Sequence, residues 1–307
     1  MHDRRGMALA VLAFSAWGVL PLYWKAFGGI PALEVMAHRA LWSLPVLWVV
    51  SLAAGQDGPS SLFRHGRKVL FVLLFSGMLI TANWAIYIDA VQTGNVLESS
   101  LGYFINPLLN IALGALLFHE RLRVGQYVAI AMAVVGVAVA AHAYGRVPLY
   151  ALSLAATMAV YALVKKLAPL PALQSMTGEM LWMFAPAAAF VLHLEANDSG
   201  HFFSSSTTTE NLHFSTAALL VSTGVVTALP LLWFAAAARR LPLYILGLLQ
   251  YLAPSLQFLV AVVVLGEPFD PARLAAFVCI WSGLAVFSVE SVYHRRSTVA
   301  KPASAKV

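Results

Sequence analysis

Carboxylates, a histidine and an arginine fall inside long apolar runs of this 307-residue sequence, where ionisable groups are rare. Glu34, His38 and Arg39 share one run, and Glu34 and His38, four apart, lie on one helix face. Glu98 opens a second run and Glu179 sits in a third. A charge near the centre of a bilayer costs at least about 2.5–3.5 kcal/mol, so one that persists faces a cavity or a partner. A carboxylate held there can carry a proton, because desolvation raises its pKa toward neutrality. The plainer alternative is a structural ion pair. Glu34, His38, Arg39, Glu98 and Glu179 are therefore the candidates for coupling or gating. Arg39, the deepest at about 12 Å by helical rise, needs an acidic or carbonyl partner, for which Glu34 or Glu98 could serve.

A second set offers polar handles beside aromatic faces, the make-up of a small-molecule pocket. Tyr103 and Asn106 precede Pro107, and Gln250 and Tyr251 precede Pro254. Each proline is expected about 16–18 Å along its helix, near mid-membrane. Proline has no N–H and clashes with the carbonyl four residues earlier, so helix kinks at Pro107 and Pro254 would free the carbonyls of Tyr103 and Gln250. Structural kinks met by neighbouring helices would give the same pattern. Asn83 and Trp84 form another such pair about 21 Å along their run. Trp17 and Tyr161, aligned at an offset of 144, complete the candidate lining.

These residues need elements that hold them at depth. The chain is 61% hydrophobic and 10% charged, against about 45–50% and 25% for a soluble domain, which argues against a soluble enzyme and against disorder. About 20 apolar residues cross the hydrocarbon layer, and that ruler gives ten spans: Met7–Phe27, Ala32–Ala54, Val69–Val91, Val96–Phe118, Val124–Ala143, Pro148–Leu167, Met176–Leu194, Thr216–Ala238, Leu243–Gly266 and Ala272–Tyr293. Continuous runs of this length are helical. The first follows Arg4-Arg5 and is read as a retained span, since Lys25 ends it and nine more follow. The single cysteine, Cys279, leaves no disulfide or multi-Cys metal site. No cofactor and no metal are expected. His201 and His213, near Glu195 and Asp198, lie in the Glu195–Phe214 connection with its Ser/Thr-rich run and read as a solvated loop, with a weak metal cluster as the alternative.

With the N-terminus cytoplasmic and the spans alternating, fifteen of the 19 Lys and Arg fall on the cytoplasmic side, among them Arg4, Arg5, Arg64, Arg67, Lys68, Arg239, Arg240, Arg295 and Arg296. Lys25, Arg146 and Arg273 fall outside. This positive-inside bias puts both termini in the cytoplasm. It also accounts for the net charge of +6 without nucleic acid. The chain aligns with itself at an offset of 147, which pairs Pro107 with Pro254, Glu120 with Glu267 and Gly136 with Gly283. Earlier spans align at 144 and 140, and the 140 offset pairs Arg39 with Glu179. Five spans per half is an odd number, so the second half enters from the opposite face. The expected units are residues 1–145, a second inverted repeat at 146–294 and a cytoplasmic tail at 295–307. The fold class is an all-α integral membrane protein of ten helices in two inverted five-helix repeats, an arrangement of secondary transporters. The small-residue stripe with Gly136 and Ala140 reads as close packing within the monomer, with a homodimer face as the alternative.

The runs Glu34-Val35-Met36-Ala37-His38-Arg39, Asn83-Trp84, Leu97-Glu98-Ser99-Ser100-Leu101-Gly102-Tyr103-Phe104-Ile105-Asn106-Pro107 and Gln250-Tyr251-Leu252-Ala253-Pro254 resemble the RarD-type permeases of the EamA group, in the drug/metabolite transporter superfamily. The resemblance covers nearly the whole chain. It implies a ten-helix bacterial inner-membrane permease with a central cavity lined by the first, third, fourth, sixth, eighth and ninth spans, and it leaves the substrate open. The expected function is alternating-access movement of a small amphipathic solute, with protons as a candidate coupling ion and the lipid bilayer as surroundings. The rivals are an intramembrane lipid-modifying enzyme, which lacks a His-Glu-x-x-His or Gly-x-Ser-x-Gly motif here, and a passive channel.

Overall fold

A computed structural model describes residues 4–55, 62, 64–118, 122–165, 170–203, 210–241, 245–246 and 249–299. Glu120 lies outside them. The described residues are helical with no strand: α1 (Arg4–Lys25), α2 (Ala32–Ala53), α3 (Arg67–Gln92), α4 (Val96–Phe118), α5 (Val124–Tyr144), α6 (Leu149–Lys165), α7 (Ala172–Ala196), α8 (Glu210–Ala238), α9 (Leu252–Leu259, continued by a π turn at Val260–Val264) and α10 (Pro271–Val299). Among these residues, seven helices are long and apolar enough to cross a membrane, while Leu149–Lys165 and Leu252–Val264 are apolar but shorter. Large apolar side chains such as Val49, Phe71, Val134 and Val263 point outward, as expected of helices that are apolar all round and meet lipid.

Turn chemistry sets the helix ends. Pro31 and Pro171 stand in extended backbone immediately before α2 and α7 (φ −56°, ψ 138° and φ −53°, ψ 142°). Proline at a helix start gives up only an N–H that has no intrahelical acceptor anyway. Gly145 closes α5 with φ 63°, a left-handed conformation that glycine adopts without strain.

The ninth span departs from the expected continuous helix over Leu243–Gly266. Ile245, Leu246 and Leu249 are helical, the chain turns at Gln250 and Tyr251, and the helix resumes as α9 at Leu252. Pro254 lies in the first turn of α9, and the helix is interrupted at Gln250, whose carbonyl a proline four residues on leaves without its helical partner. The physical reason is the one that favours Pro31: first-turn N–H groups lack partners, so starting the helix just ahead of Pro254 avoids the lost bond. The Tyr251 carbonyl then accepts from Ser255 N (3.1 Å) and Ser255 Oγ (2.7 Å). α4, in contrast, runs unbroken through Pro107.

Packing brings distant helices together. α2 lies against α7 and α8, α1 against α8 and α9, α3 against α6 and α7, α4 against α6 and α9, and α5 against α10. Glycines allow the closest approaches. A β-carbon at Gly224 in α8 would lie 2.5 Å from the Trp42 carbonyl carbon in α2, and one at Gly77 in α3 would lie 3.1 Å from the Glu179 carbonyl oxygen in α7. Gly136 in α5 lies on Ala276 and Ile280 of α10, and Ala140 is fully buried. That small-residue stripe thus packs within the chain.

Candidate functional site

Three groups of buried polar side chains emerge, joined by α2, α3 and α7. The central one surrounds Arg39, which is 4% exposed. Its guanidinium carbon stands 3.7 Å from the ring centre of Trp84 on α3 and 4.9 Å from that of Trp24 on α1. Its Nε donates to Thr227 Oγ1 on α8 at 2.9 Å. Tyr23, Tyr87 and Tyr103 lie within electrostatic range, with the Tyr87 and Tyr103 rings edge to face at 5.6 Å. The candidate carboxylate partner is not there: Glu34 and Glu98 are each engaged elsewhere, and among the described residues no acid pairs with Arg39. Aromatic faces take the place of the acid. A desolvated cation–π contact contributes up to about 2 kcal/mol, so two of them offset a mid-membrane arginine on the lower, ~2.5–3.5 kcal/mol scale.

The second group ties helix starts together at the end of the bundle where α2, α4 and α6 begin. Glu98, 1% exposed, accepts from Tyr150 N (2.8 Å) at the start of α6 and from Arg146 Nη2 (2.7 Å). Glu267 does the same for α4, accepting from Val96 N (2.7 Å) and Leu97 N (2.8 Å). A carboxylate on a helix N-terminus meets free N–H groups and the positive end of the helix dipole. Burial raises the Glu267 carboxyl above its ordinary value, against the lowering effect of those N–H donors and of Lys25 and Arg273. Glu34, 1% exposed, accepts from His201 N (2.7 Å) and pairs with His201 Nδ1 (2.8 Å). His201 is thus a clamp on α2 and not a residue of a solvated loop. His38 stacks on Phe202 at 5.1 Å and its Nδ1 accepts from Trp42 Nε1 at 3.3 Å. Asp89 accepts from Tyr150 Oη at 2.6 Å, at the rim of a groove of about 250 Å³ lined by Ala32, Leu33, Ala85, Ile86, Asp89 and Tyr150.

The third group occupies the opposite half. Glu179, fully buried, accepts from Ser76 Oγ (2.8 Å), Tyr161 Oη (3.1 Å) and Lys165 Nζ (2.6 Å). Lys165 also donates to Ser175 Oγ.

Of the expected lining, Trp84 stacks on Arg39 and Tyr103 lies within its electrostatic range, against Tyr87. Asn83 turns to α6, donating to Leu154 O (3.0 Å) and Thr157 Oγ1 (2.8 Å), and its Oδ1 is buried without a partner. Asn106 Oδ1 is likewise buried and unpartnered. Tyr161 joins Glu179 instead of Arg39. Trp17 packs on Phe14 and Phe234, and its carbonyl accepts from Gln257 Nε2 at 3.2 Å. Gln250 is exposed and Tyr251 half-buried at the α9 break. Sequence reasoning passed over Trp24, Thr227 and Tyr87, took Arg146 and Lys165 only as charges to be counted, and read His201 as a loop residue. No spacing marks any of the six as a partner; only the unexplained burial of Arg39 or a carboxylate asks for them.

Many apolar helices enclosing paired and unpaired charge, with no assembled metal ligands among the described residues, define a multi-pass membrane protein built around a polar interior. The EamA-like transporter family matches residues 4–141. An uncharacterized transporter of Pseudomonas aeruginosa is 42% identical over 94% of this chain and 94% of its own length. The protein RarD of Escherichia coli K12 is 38% identical over 97% and 98%, and that of Streptomyces exfoliatus 39% over 98% and 93%. A solved crystal structure, 23% identical, superposes over 92% of this chain and 96% of that chain with a TM-score of 0.58, which speaks for the fold alone. The chain belongs to the EamA-like transporter family, among its RarD-type permeases. It is accordingly a multi-pass inner-membrane permease for a small molecule.

Proposed function

We propose that the protein is a secondary transporter moving a small amphipathic solute by alternating access between two inverted five-helix repeats, residues 1–145 and 146–294, with both termini cytoplasmic. The observation that carries this reading is reciprocal packing. α1 lies on α8 as α6 lies on α3, and α4 on α6 as α9 on α1. A β-carbon at Gly136 would meet the Ala276 carbonyl (3.1 Å), and one at Gly283 would meet the Ala129 carbonyl (3.0 Å). Both residues of one contact are 147 positions from those of the other. Gly77 against α7 and Gly224 against α2 are again 147 apart, and Pro31 and Pro171 start α2 and α7 at the same place 140 apart. A contact repeated with its partners exchanged is the signature of a two-fold relation, and with five spans per half that axis lies in the membrane plane.

Tyr103, Trp84 and Arg39 are the solute-facing centre in this reading, with Asn83, Asn106, Trp17, Tyr161, Gln250 and Tyr251 on the helices that line the path. Glu34, His38 and Glu98 hold the outer end closed. Glu179 is the coupling carboxylate: it is buried, two hydroxyls hold it in either protonation state, and Lys165, 26% exposed, can withdraw into water when a proton arrives. Glu98 is occupied as a cap on α6. The test is flux of a metabolite panel into proteoliposomes with and without an imposed pH gradient. Concentrative, gradient-dependent uptake that Glu179→Gln uncouples supports the reading; downhill flux alone at channel-like rates, or chemical conversion of a solute, refutes it.

A further inference from the structure

Arg39 is buried with its charge balanced by rings, and its guanidinium carries five N–H groups in a planar fork, of which Nε donates to Thr227. Two donors close by are buried without a partner among the described residues. Trp24, fully buried, has no partner for Nε1, and Tyr87, 4% exposed, has none for its hydroxyl. Trp24 lies under the guanidinium at 4.9 Å, and Tyr87 lies within its electrostatic range. Buried polar groups left without partners are uncommon in a folded chain and each asks for an explanation. Here the two beside Arg39, an indole N–H on α1 and a phenol hydroxyl on α3, can both donate, about one cation.

We propose that this cage is the recognition site for a carboxylate: the transported solute is an organic monoanion whose acid group is held by the Arg39 fork and the Tyr87 hydroxyl, and whose apolar body lies against Trp84 and Tyr103. The inference rests on the transport reading above and specifies its substrate class. The donors select an acceptor-only group, and the planar fork matches a carboxylate in bidentate geometry. One fixed positive charge, with no second Lys or Arg among the described residues in contact with it, balances one negative charge and not two. Aromatic walls supply apolar area and stabilise the cation in the empty state while leaving its fork free, which a resident carboxylate would not do, since it would compete with the solute for the same donors.

The test uses purified full-length protein in detergent and equilibrium binding read by tryptophan fluorescence, with matched probes: benzoate, phenylacetate and hexanoate, each against its own amide, and phenyl phosphate as a dianion. At least one carboxylate should bind tenfold or more tightly than its amide and more tightly than phenyl phosphate. Tyr87→Phe, which removes only a hydroxyl, should weaken that carboxylate about tenfold and leave the amide unchanged. Arg39→Met should weaken it at least about thirtyfold without lowering the melting temperature, because an arginine with only a structural role would cost stability when removed. The proposal is overturned if no carboxylate exceeds its amide, if phenyl phosphate binds more tightly than every carboxylate, or if Tyr87→Phe binds the carboxylate as the wild type does. Binding needs no turnover, so charge-selective binding without proteoliposome flux would sink the transport reading alone. Flux without carboxylate preference would sink this site alone.

Discussion

Gly224→Ala probes the joint that holds Arg39 in register. The new β-carbon would sit 2.5 Å from the Trp42 carbonyl carbon and 3.0 Å from Ser43 N, where ordinary contact begins at 3.4 Å. Both obstacles are backbone, so no side chain can swing aside, and α2 and α8 must part by about 1 Å. Overpacking of this kind costs about 1–3 kcal/mol, a loss of several degrees in melting temperature, which leaves the protein folded. The displacement matters more than the energy. Arg39 on α2 reaches Thr227 on α8 at 2.9 Å and Trp84 on α3 at 3.7 Å, and a shift of about 1 Å spoils both; misplacement of that size costs about 10²-fold in a positioned site. The assay pairs thermal denaturation with proteoliposome flux of any solute the wild type carries. Gly28→Ala is the control, because its β-carbon meets only the Lys25 carbonyl at an ordinary 3.5 Å. If Gly224→Ala melts and transports like the control, the close α2–α8 contact does not position Arg39 and the reasoning fails.

Further outcomes follow from the carboxylates. Glu98→Gln should cost up to about 2 kcal/mol by weakening the charge on the α6 N-terminus, while the pH dependence of flux persists; a loss of that dependence would move the coupling role from Glu179 to Glu98. Arg146→Ala should change the melting temperature by less than about 1 kcal/mol equivalent, because the arginine is 45% exposed and solvent screens the pair; a larger loss would mean a desolvated pair. For Glu267 the raised folded-state pKa means the folded chain holds that proton more tightly than the unfolded one. Its contribution to stability is therefore full below the ordinary value of 4.5 and is lost as pH climbs through the raised value. The melting difference between wild type and Glu267→Gln should shift against the wild type from pH 4 upward, and a difference independent of pH would contradict the assignment.

The helices were legible because crossing lipid demands about 20 apolar residues and the composition leaves few other ways to arrange them. Among the described residues nine spans reappear as helices with ends within about six residues of those expected; the ninth in order, Leu243–Gly266, is broken at Gln250 and Tyr251, because hydropathy is blind to a break that keeps the same apolar content. Gln250-Tyr251 could have been read as a turn from the proline that follows, but a mid-helix kink and a helix start give the same local pattern. Burial of Glu34, Arg39, Glu98 and Glu179 was legible from the cost of leaving a charge in lipid. Their partners were not. His201 reaches Glu34 across 167 positions and Glu267 reaches Val96 across 171, and no periodicity encodes contacts set by packing. The candidate acids for Arg39 are engaged elsewhere, and an arginine also stacks on aromatic faces, a choice made only when Trp24 and Trp84 are brought together in space.

The inverted relation of the two halves is the claim on which the rest depends, and the first residues of each half test it most directly. With Cys279 replaced by Ala, Arg4→Cys and Val147→Cys would be labelled in intact cells by a membrane-impermeant thiol reagent, before and after permeabilisation. The account predicts that Val147→Cys labels in intact cells and that Arg4→Cys labels only after permeabilisation. Labelling of both from the same side would contradict it, since the halves would then enter the membrane in the same sense.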